Sequence, residues 1–219
     1  MNTFVLKLIA ITSMIIDHYG AIFAPHEPIF RYIGRLAFPI FAFLLVEGFI
    51  HTRDIKKYGQ RLLIFAFISE IPFDLAFYGS LGFEHQNIFF TLFIGLVMMY
   101  YLEKSENTWN KASIVSIAMI AAFIFIVDYN IVGILYILMF YLTKDMVRIK
   151  RLPLIALALF IVHLSFFGVF NMTQQFALLS LPLLYFYNGR LGPVGSWTKH
   201  FFYLFYPLHL GLFYLIQII

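Results

Sequence analysis

The sequence predicts an all-α protein, a bundle of helices crossing a bilayer about nine times. Three observations predict it. The 219 residues are 62% hydrophobic, 20% aromatic and 12% charged, with a mean hydropathy of +0.88, whereas a soluble domain is about 25% charged. The apolar runs are continuous rather than alternating, which selects helices over a β-barrel. Cations gather in every second loop, as membrane topology requires. Little polar sequence remains, so residues 1–219 are expected to form a single domain.

The elements follow in order. Apolar spans are predicted at about 4–24, 29–50, 58–78, 87–102, 112–127, 131–142, 153–170, 176–187 and 200–219. The first resembles a signal peptide, but Asp17 and His18 interrupt its apolar core, so it reads as a retained helix. Pro72 is expected to break the third span, and the sixth is short. The loops after spans two, four, six and eight hold Arg53, Lys56, Lys57, Arg61, Lys104, Lys111, Lys144, Arg148, Lys150, Arg151, Arg190 and Lys199. The intervening loops offer Arg31, at a span edge. Because cytoplasmic loops are rich in Lys and Arg, the N-terminus is expected inside and the C-terminus outside. The net charge of +4 is thus a matter of topology, and no nucleic-acid partner is expected. With no cysteine, disulfides, thiolate metal sites and a cysteine nucleophile are excluded.

Residues 31–53, RYIGRLAFPIFAFLLVEGFIHTR, carry Gly34, Arg35, Pro39 and Glu47 within one apolar run. A charge at membrane depth costs about 2.5–3.5 kcal/mol on insertion scales, so a mere anchor has no use for Arg35 and Glu47. Pro39 has no N–H for the carbonyl of Arg35, which leaves a free acceptor beside a cation. This segment is expected to line a polar interior.

Other polar groups fall at similar depth. Asp17, His18, Arg35, Glu70 and Asp74 lie in the outer halves of their spans, Gln86 and Asn87 open the fourth, and His163, Tyr206 and His209 sit within the seventh and ninth. Glu47 is the outlier, near an inner end. Such residues face the bundle interior and pair with one another. A structural ion-pair network accounts for any one of them about as well as catalysis does, but less well for the whole set. His18 is a general-base candidate, with Asp17 or the Glu70–Asp74 pair to orient it. Adjacent helical residues point ~100° apart, however, so Asp17 serves Arg35 in the competing reading. His163 reads as a satisfied interior histidine, and His26, His51, His85 and His200 as solvated. The histidines lack metal-ligand spacing, so no metal is expected.

Several stretches together resemble the TraX family: LKLIAITSMIIDHYGAI, RYIGRLAFPIFAFLLVEGFIHTRDIKKY, RLLIFAFISEIPFDLAFYG, QNIFFTL and KHFFYLFYPLHL. That family is named for conjugal-transfer membrane proteins that N-acetylate pilin. The resemblance implies an acetyltransferase of the cell (inner) membrane, with acetyl-CoA as co-substrate and a pilin-like membrane peptide as a possible acceptor. The resemblance does not assign roles; on chemical grounds His18 would be the base, Asp17 or a carboxylate of the Glu70–Asp74 pair would orient or neutralise it, and Arg35 would supply charge to the oxyanion or fix a carboxylate. Glu47, Glu70, Asp74, Gln86, Asn87, Tyr206 and His209 would form a supporting cluster. Lys56, Lys57, Arg148, Lys150 and Arg151 would meet the phosphates of coenzyme A, although topology alone also explains these cations. Two other functions use the same residues: a non-catalytic membrane assembly factor, and a small-solute or proton-coupled transporter.

Overall fold

The computed structural model describes residues 1–167, 172–193 and 195–219, and of 196–199 the backbone alone. The expected end of the seventh span at 168–170 and the side chain of Lys199 lie outside the described residues. The helices are α1 (Thr3–Phe23), α2 (Pro28–Gly34), α3 (Ala37–His51), α4 (Ile55–Tyr78), α5 (Ile88–Lys104), α6 (Thr108–Ile124), α7 (Asn130–Leu142), α8 (Arg148–Phe167), α9 (Ser180–Tyr185) and α10 (Ser196–Ile218). A 3-10 helix (Met172–Leu179) precedes α9. Among the described residues the one departure from helix pairing is an isolated bridge between Gln86 and Val127.

Short polar residues start the helices where the sequence supplies them. Asn2, Asp54, Asn87 and Asn107 each accept a backbone N–H from the first turn of α1, α4, α5 and α6. The N–H of Lys57 on Asp54 holds that exposed carboxyl below its ordinary pKa. Gly79 ends α4 with φ of 72°, a left-handed cap that a residue with a Cβ adopts only at a cost.

Among the described residues four helical segments are long and apolar enough to cross a membrane: Thr3–Phe23, Pro28–His51, Arg148–Phe167 and His200–Ile218. The second is α2 and α3 together, and it is broken at Arg35 and Leu36, one turn before Pro39, whose missing N–H leaves the carbonyl of Arg35 without its helical partner. Pro72 does not break α4, contrary to expectation; the helix runs through it from Ile55 to Tyr78. The expected eighth span also differs. A 3-10 helix, Met172–Leu179, begins ahead of it and takes in Gln174 and Gln175, and within the expected span only Ser180–Tyr185 is α-helical. In a 3-10 helix successive side chains lie ~120° apart, so these two glutamines reach different neighbours.

The helix α7 is deeply buried. Ile134, Tyr136, Ile137 and Phe140 are fully buried, where α7 packs on α3, α5, α6 and α8. By contrast α6 buries only Ala118 and Ala122, while Ile117, Ile120, Phe123 and Ile124 face outward. An apolar outer face of this kind suits a lipid solvent.

Inside, His163 links three elements. Its Nε2 meets the Tyr136 hydroxyl at 2.5 Å, and its Nδ1 meets Gln175 Oε1 at 3.1 Å. An amide oxygen only accepts, so Nδ1 carries the proton and Nε2 accepts from Tyr136. His163 is a satisfied interior histidine. His163→Leu strands both partners, and a loss of about 1–3 kcal/mol is expected. Thermal unfolding in detergent measures it, with exposed His51→Ala as the neutral comparison.

The loops fall at two ends. At one, the Met1 amine donates to Phe186 O at 2.5 Å, Lys144 pairs with Glu103 at 3.2 Å, and Arg148 reaches Tyr185 O at 3.4 Å. This is the cation-rich end. At the other, the 79–87 connection is stapled to the turn after α6: Gln86 N–H donates to Ile126 O and Asp128 N–H to Gln86 O, at 3.1 and 2.8 Å.

Candidate functional site

Asp17 and His18 of α1, Arg31 of α2 and Arg35 at the break after it collect at the second end. Asp17 is clamped by two guanidinium groups: Arg31 Nη1 at 2.7 Å, and Arg35 Nη2 at 2.7 and 2.9 Å from its two oxygens. The side chains of Asp17 and Arg35 are 12% and 13% exposed. Gly34 makes room for this contact, because a Cβ there would overlap the Asp17 carboxylate. Arg35 also approaches Gln174 Oε1 at 3.4 Å and lies over the Tyr129 ring at 5.7 Å. Asp17 therefore serves the arginines and does not touch His18.

His18 turns to α10. Its Nδ1 lies 2.8 Å from His209 Nε2, and His209 Nδ1 lies 2.8 Å from the carbonyl oxygen of Phe205. The direction of the protons follows. A carbonyl only accepts, so His209 Nδ1 is an N–H. In a neutral pair His209 Nε2 is then the acceptor, and His18 Nδ1 donates to it. The remaining nitrogen, His18 Nε2, is left with a lone pair. Among the described residues nothing donates to it, and the rings of Phe77 and Tyr206 stand edge-on at 5.3 and 5.9 Å.

The carboxylates of α4 are occupied elsewhere. Glu70 accepts from the side-chain and backbone N–H groups of Asn87, and Asp74 accepts from Gly82 N–H at 3.0 Å. Gln86 Nε2 donates to Phe83 O at 3.2 Å. These residues shape the 79–87 connection; His209, not Glu70 or Asp74, orients His18.

A cavity of about 450 Å³ opens beside this cluster, lined by Arg35, Gln174, His85, Asp128 and Asn130 against an apolar wall that includes Phe123 and Phe166. His18 does not line it. His85, expected to be solvated, instead turns inward and buries an unpartnered Nδ1. Asp128 and Tyr129 were hidden by position: DYN reads as an ordinary turn. The structural signal is strain. Ile126, Tyr129 and Asn130 all have positive φ, at 48°, 59° and 45°, and such non-glycine residues cluster at functional sites.

A second cavity, of about 190 Å³, lies at the cation-rich end, lined by Glu47, Lys144, Arg148, Arg151 and Tyr187 among others. Of the five cations assigned to coenzyme A, only Arg148 and Arg151 reach it. Lys56, Lys57 and Lys150 are exposed away from it. Arg151 is no loop cation: it is buried at the C-terminal end of α7, donating to the Phe140 carbonyl at 3.0 Å and to the Thr143 hydroxyl at 3.3 Å. Lys144 is engaged by Glu103. Among the described residues no three His, Asp or Glu side chains converge at metal-ligand distance.

Apolar outward faces around paired buried charges define a helical membrane protein with a polar centre. The chain matches the TraX protein family over residues 3–217 and belongs to it. It is 29% identical over 231 residues to a probable fimbrial assembly protein FimC, serogroup H1, of Dichelobacter nodosus, covering 96% of this chain and 93% of that relative. It is also 29% identical over 190 residues to the uncharacterized protein RP591 of Rickettsia prowazekii (strain Madrid E), covering 82% and 73% of the two chains. No solved structure matches it.

Proposed function

We propose that this chain is a multi-pass inner-membrane acetyltransferase. It takes acetyl from acetyl-CoA and passes it to an amine or hydroxyl acceptor, such as a pilin-like membrane peptide, during pilus or fimbrial assembly. The observation that carries the reading is the proton chain from Phe205 O through His209 to His18, which leaves an imidazole lone pair inside a membrane bundle. The family and the name of the Dichelobacter relative support the setting. The alternation of cations supports nine crossings with the N-terminus inside.

In this reading His18 Nε2 takes the proton as the acceptor attacks the thioester carbonyl. The new C–N or C–O bond replaces the C–S bond, and the proton passes from His18 to the departing thiolate. His209 fixes the tautomer. Asp17, Arg31 and Arg35 hold α1 against the broken second span, and so position His18 rather than act on the oxyanion. Arg148 is the lining cation with an exposed head at the second cavity, and would hold a phosphate of the donor.

The test is purified protein in liposomes with labelled acetyl-CoA and a synthetic apolar peptide bearing a free amino terminus. Label should appear in the peptide. Arg148→Ala should raise KM for acetyl-CoA about tenfold, the worth of one charge-assisted hydrogen bond, with kcat nearly unchanged. The relative's name favours a second reading, a non-catalytic assembly factor. That reading gains if acetyl-CoA neither is consumed nor raises the unfolding temperature, since a bound ligand stabilises by mass action.

A further inference from the structure

The larger cavity plays no part in the proton chain, yet it is built to hold something. Gln174 is 4% exposed and lines the cavity, and its Nε2 donor has no partner. A buried donor left unmet costs about 1–3 kcal/mol, so a ligand oxygen there recovers it. Arg35 stands beside it, with Nη1 held only loosely at 3.4 Å. Asp128 lines the same cavity with no ion-pair partner among the described residues; its Oδ1 takes the N–H of Tyr129 at 2.9 Å. The cavity thus offers a cation, an amide donor, the unpartnered Nδ1 of His85 and a carboxylate.

Charge sets the ligand class. Arg31 and Arg35 against Asp17 leave one excess positive charge, and Asp128 supplies one negative charge. The complement is a zwitterion. An anionic oxygen belongs at Arg35 and Gln174, and a cationic N–H donor at Asp128.

The wall sets the source. Phe123 and Phe166 are 63% and 50% exposed, so the cavity rim is continuous with the apolar outer face of α6 and α8. A ligand enters from the lipid side, bringing an apolar tail past these rings. We infer that the cavity is a binding site for an ethanolamine phospholipid, with the phosphate on Arg35 and Gln174 and the ammonium on Asp128. The strained turn at Ile126, Tyr129 and Asn130 holds the carboxylate in place for it. This site stands whether or not the chain transfers acetyl groups.

The test uses the full chain in detergent, with phospholipids of identical short acyl chains added and binding read by native mass spectrometry. The ethanolamine lipid should bind one per chain. Successive N-methylation to choline removes the N–H donors and should weaken binding about tenfold, as loss of a charge-assisted hydrogen bond does. The glycerol lipid, with no cation, should also bind more weakly. Asp128→Asn should erase the preference for ethanolamine over choline, and Gln174→Leu should weaken both. Equal binding of the three headgroups overturns the proposal, as does glycerol binding best, a peptide amino terminus outcompeting the lipid, or a folded Asp128→Asn that keeps the preference. The methylation series needs no variant, so it decides even if Asp128→Asn fails to fold.

Discussion

His18→Ala is expected to lower acetyl transfer by about 10²–10⁴-fold, the usual contribution of a positioned general base. Little stability should be lost with it, because His18 is a half-buried side chain whose one hydrogen bond among the described residues is to His209. The comparison that separates base from scaffold is His209. His209→Ala removes the acceptor for His18 Nδ1–H and frees the ring to adopt the other tautomer, so a smaller loss of kcat is expected with KM for acetyl-CoA unchanged. His209→Asn keeps an oxygen acceptor and should restore part of the rate. A purely structural role predicts no such rescue. Full transfer by natively folded His18→Ala would remove the base from the mechanism.

Asp17→Ala should produce the largest loss of stability in the protein. Two guanidinium groups converge on this one carboxylate, and Arg35 is 13% exposed. Removing one partner of a buried pair leaves an uncompensated charge and costs about 3–5 kcal/mol. Arg35→Lys should also weaken the clamp, since a lysine cannot bridge both oxygens. The double change Asp17→Leu with Arg35→Met removes the buried pair and leaves Arg31, whose side chain is 35% exposed, to water, so it should recover much of the lost stability, because apolar replacements of a buried pair are often neutral. Gly34→Ala tests the same contact from the other side, by forcing a Cβ against the Asp17 carboxylate. Unfolding temperature in one detergent ranks the four variants. An Asp17→Ala protein as stable as the double variant would contradict the clamp.

Much of this centre was legible residue by residue. Asp17, His18, Arg35 and His209 stand out because each is a polar group inside an apolar run, where polar groups must find partners. Pairings were harder. His18 and His209 are 191 positions apart, and no local spacing connects them. The choice between Asp17 serving His18 or Arg35 rested on a ~100° rotation between neighbours, and the structure takes the arginine side. The start of α5 at Asn87 was readable from local chemistry, whereas α6 begins at Thr108, ahead of the expected 112, on an Asn107 cap that the apolar pattern did not mark.

What could not be read were features set by tertiary contact. Asp128 sits where an acid is expected in any turn, so nothing marked it until its strained neighbours and the cavity were seen. The 3-10 helix at Met172–Leu179 differs from an α-helix by a fraction of a residue per turn, which eight residues cannot reveal. Its consequence, Gln174 turned to Arg35 and Gln175 to His163, exists only in the packed bundle. Pro72 reads as a breaker by rule, yet α4 continues through it, packed along α5 and α10.

General-base catalysis by His18 depends on which of its nitrogens carries the proton. Selective ¹⁵N-histidine labelling of the purified chain, with His18→Gln and His209→Gln to assign the signals, reads this directly by NMR at neutral pH. Both rings should be protonated on Nδ1 and bare on Nε2. A His18 ring protonated on Nε2 would leave no lone pair to receive the acceptor's proton, and the proposed mechanism would fail.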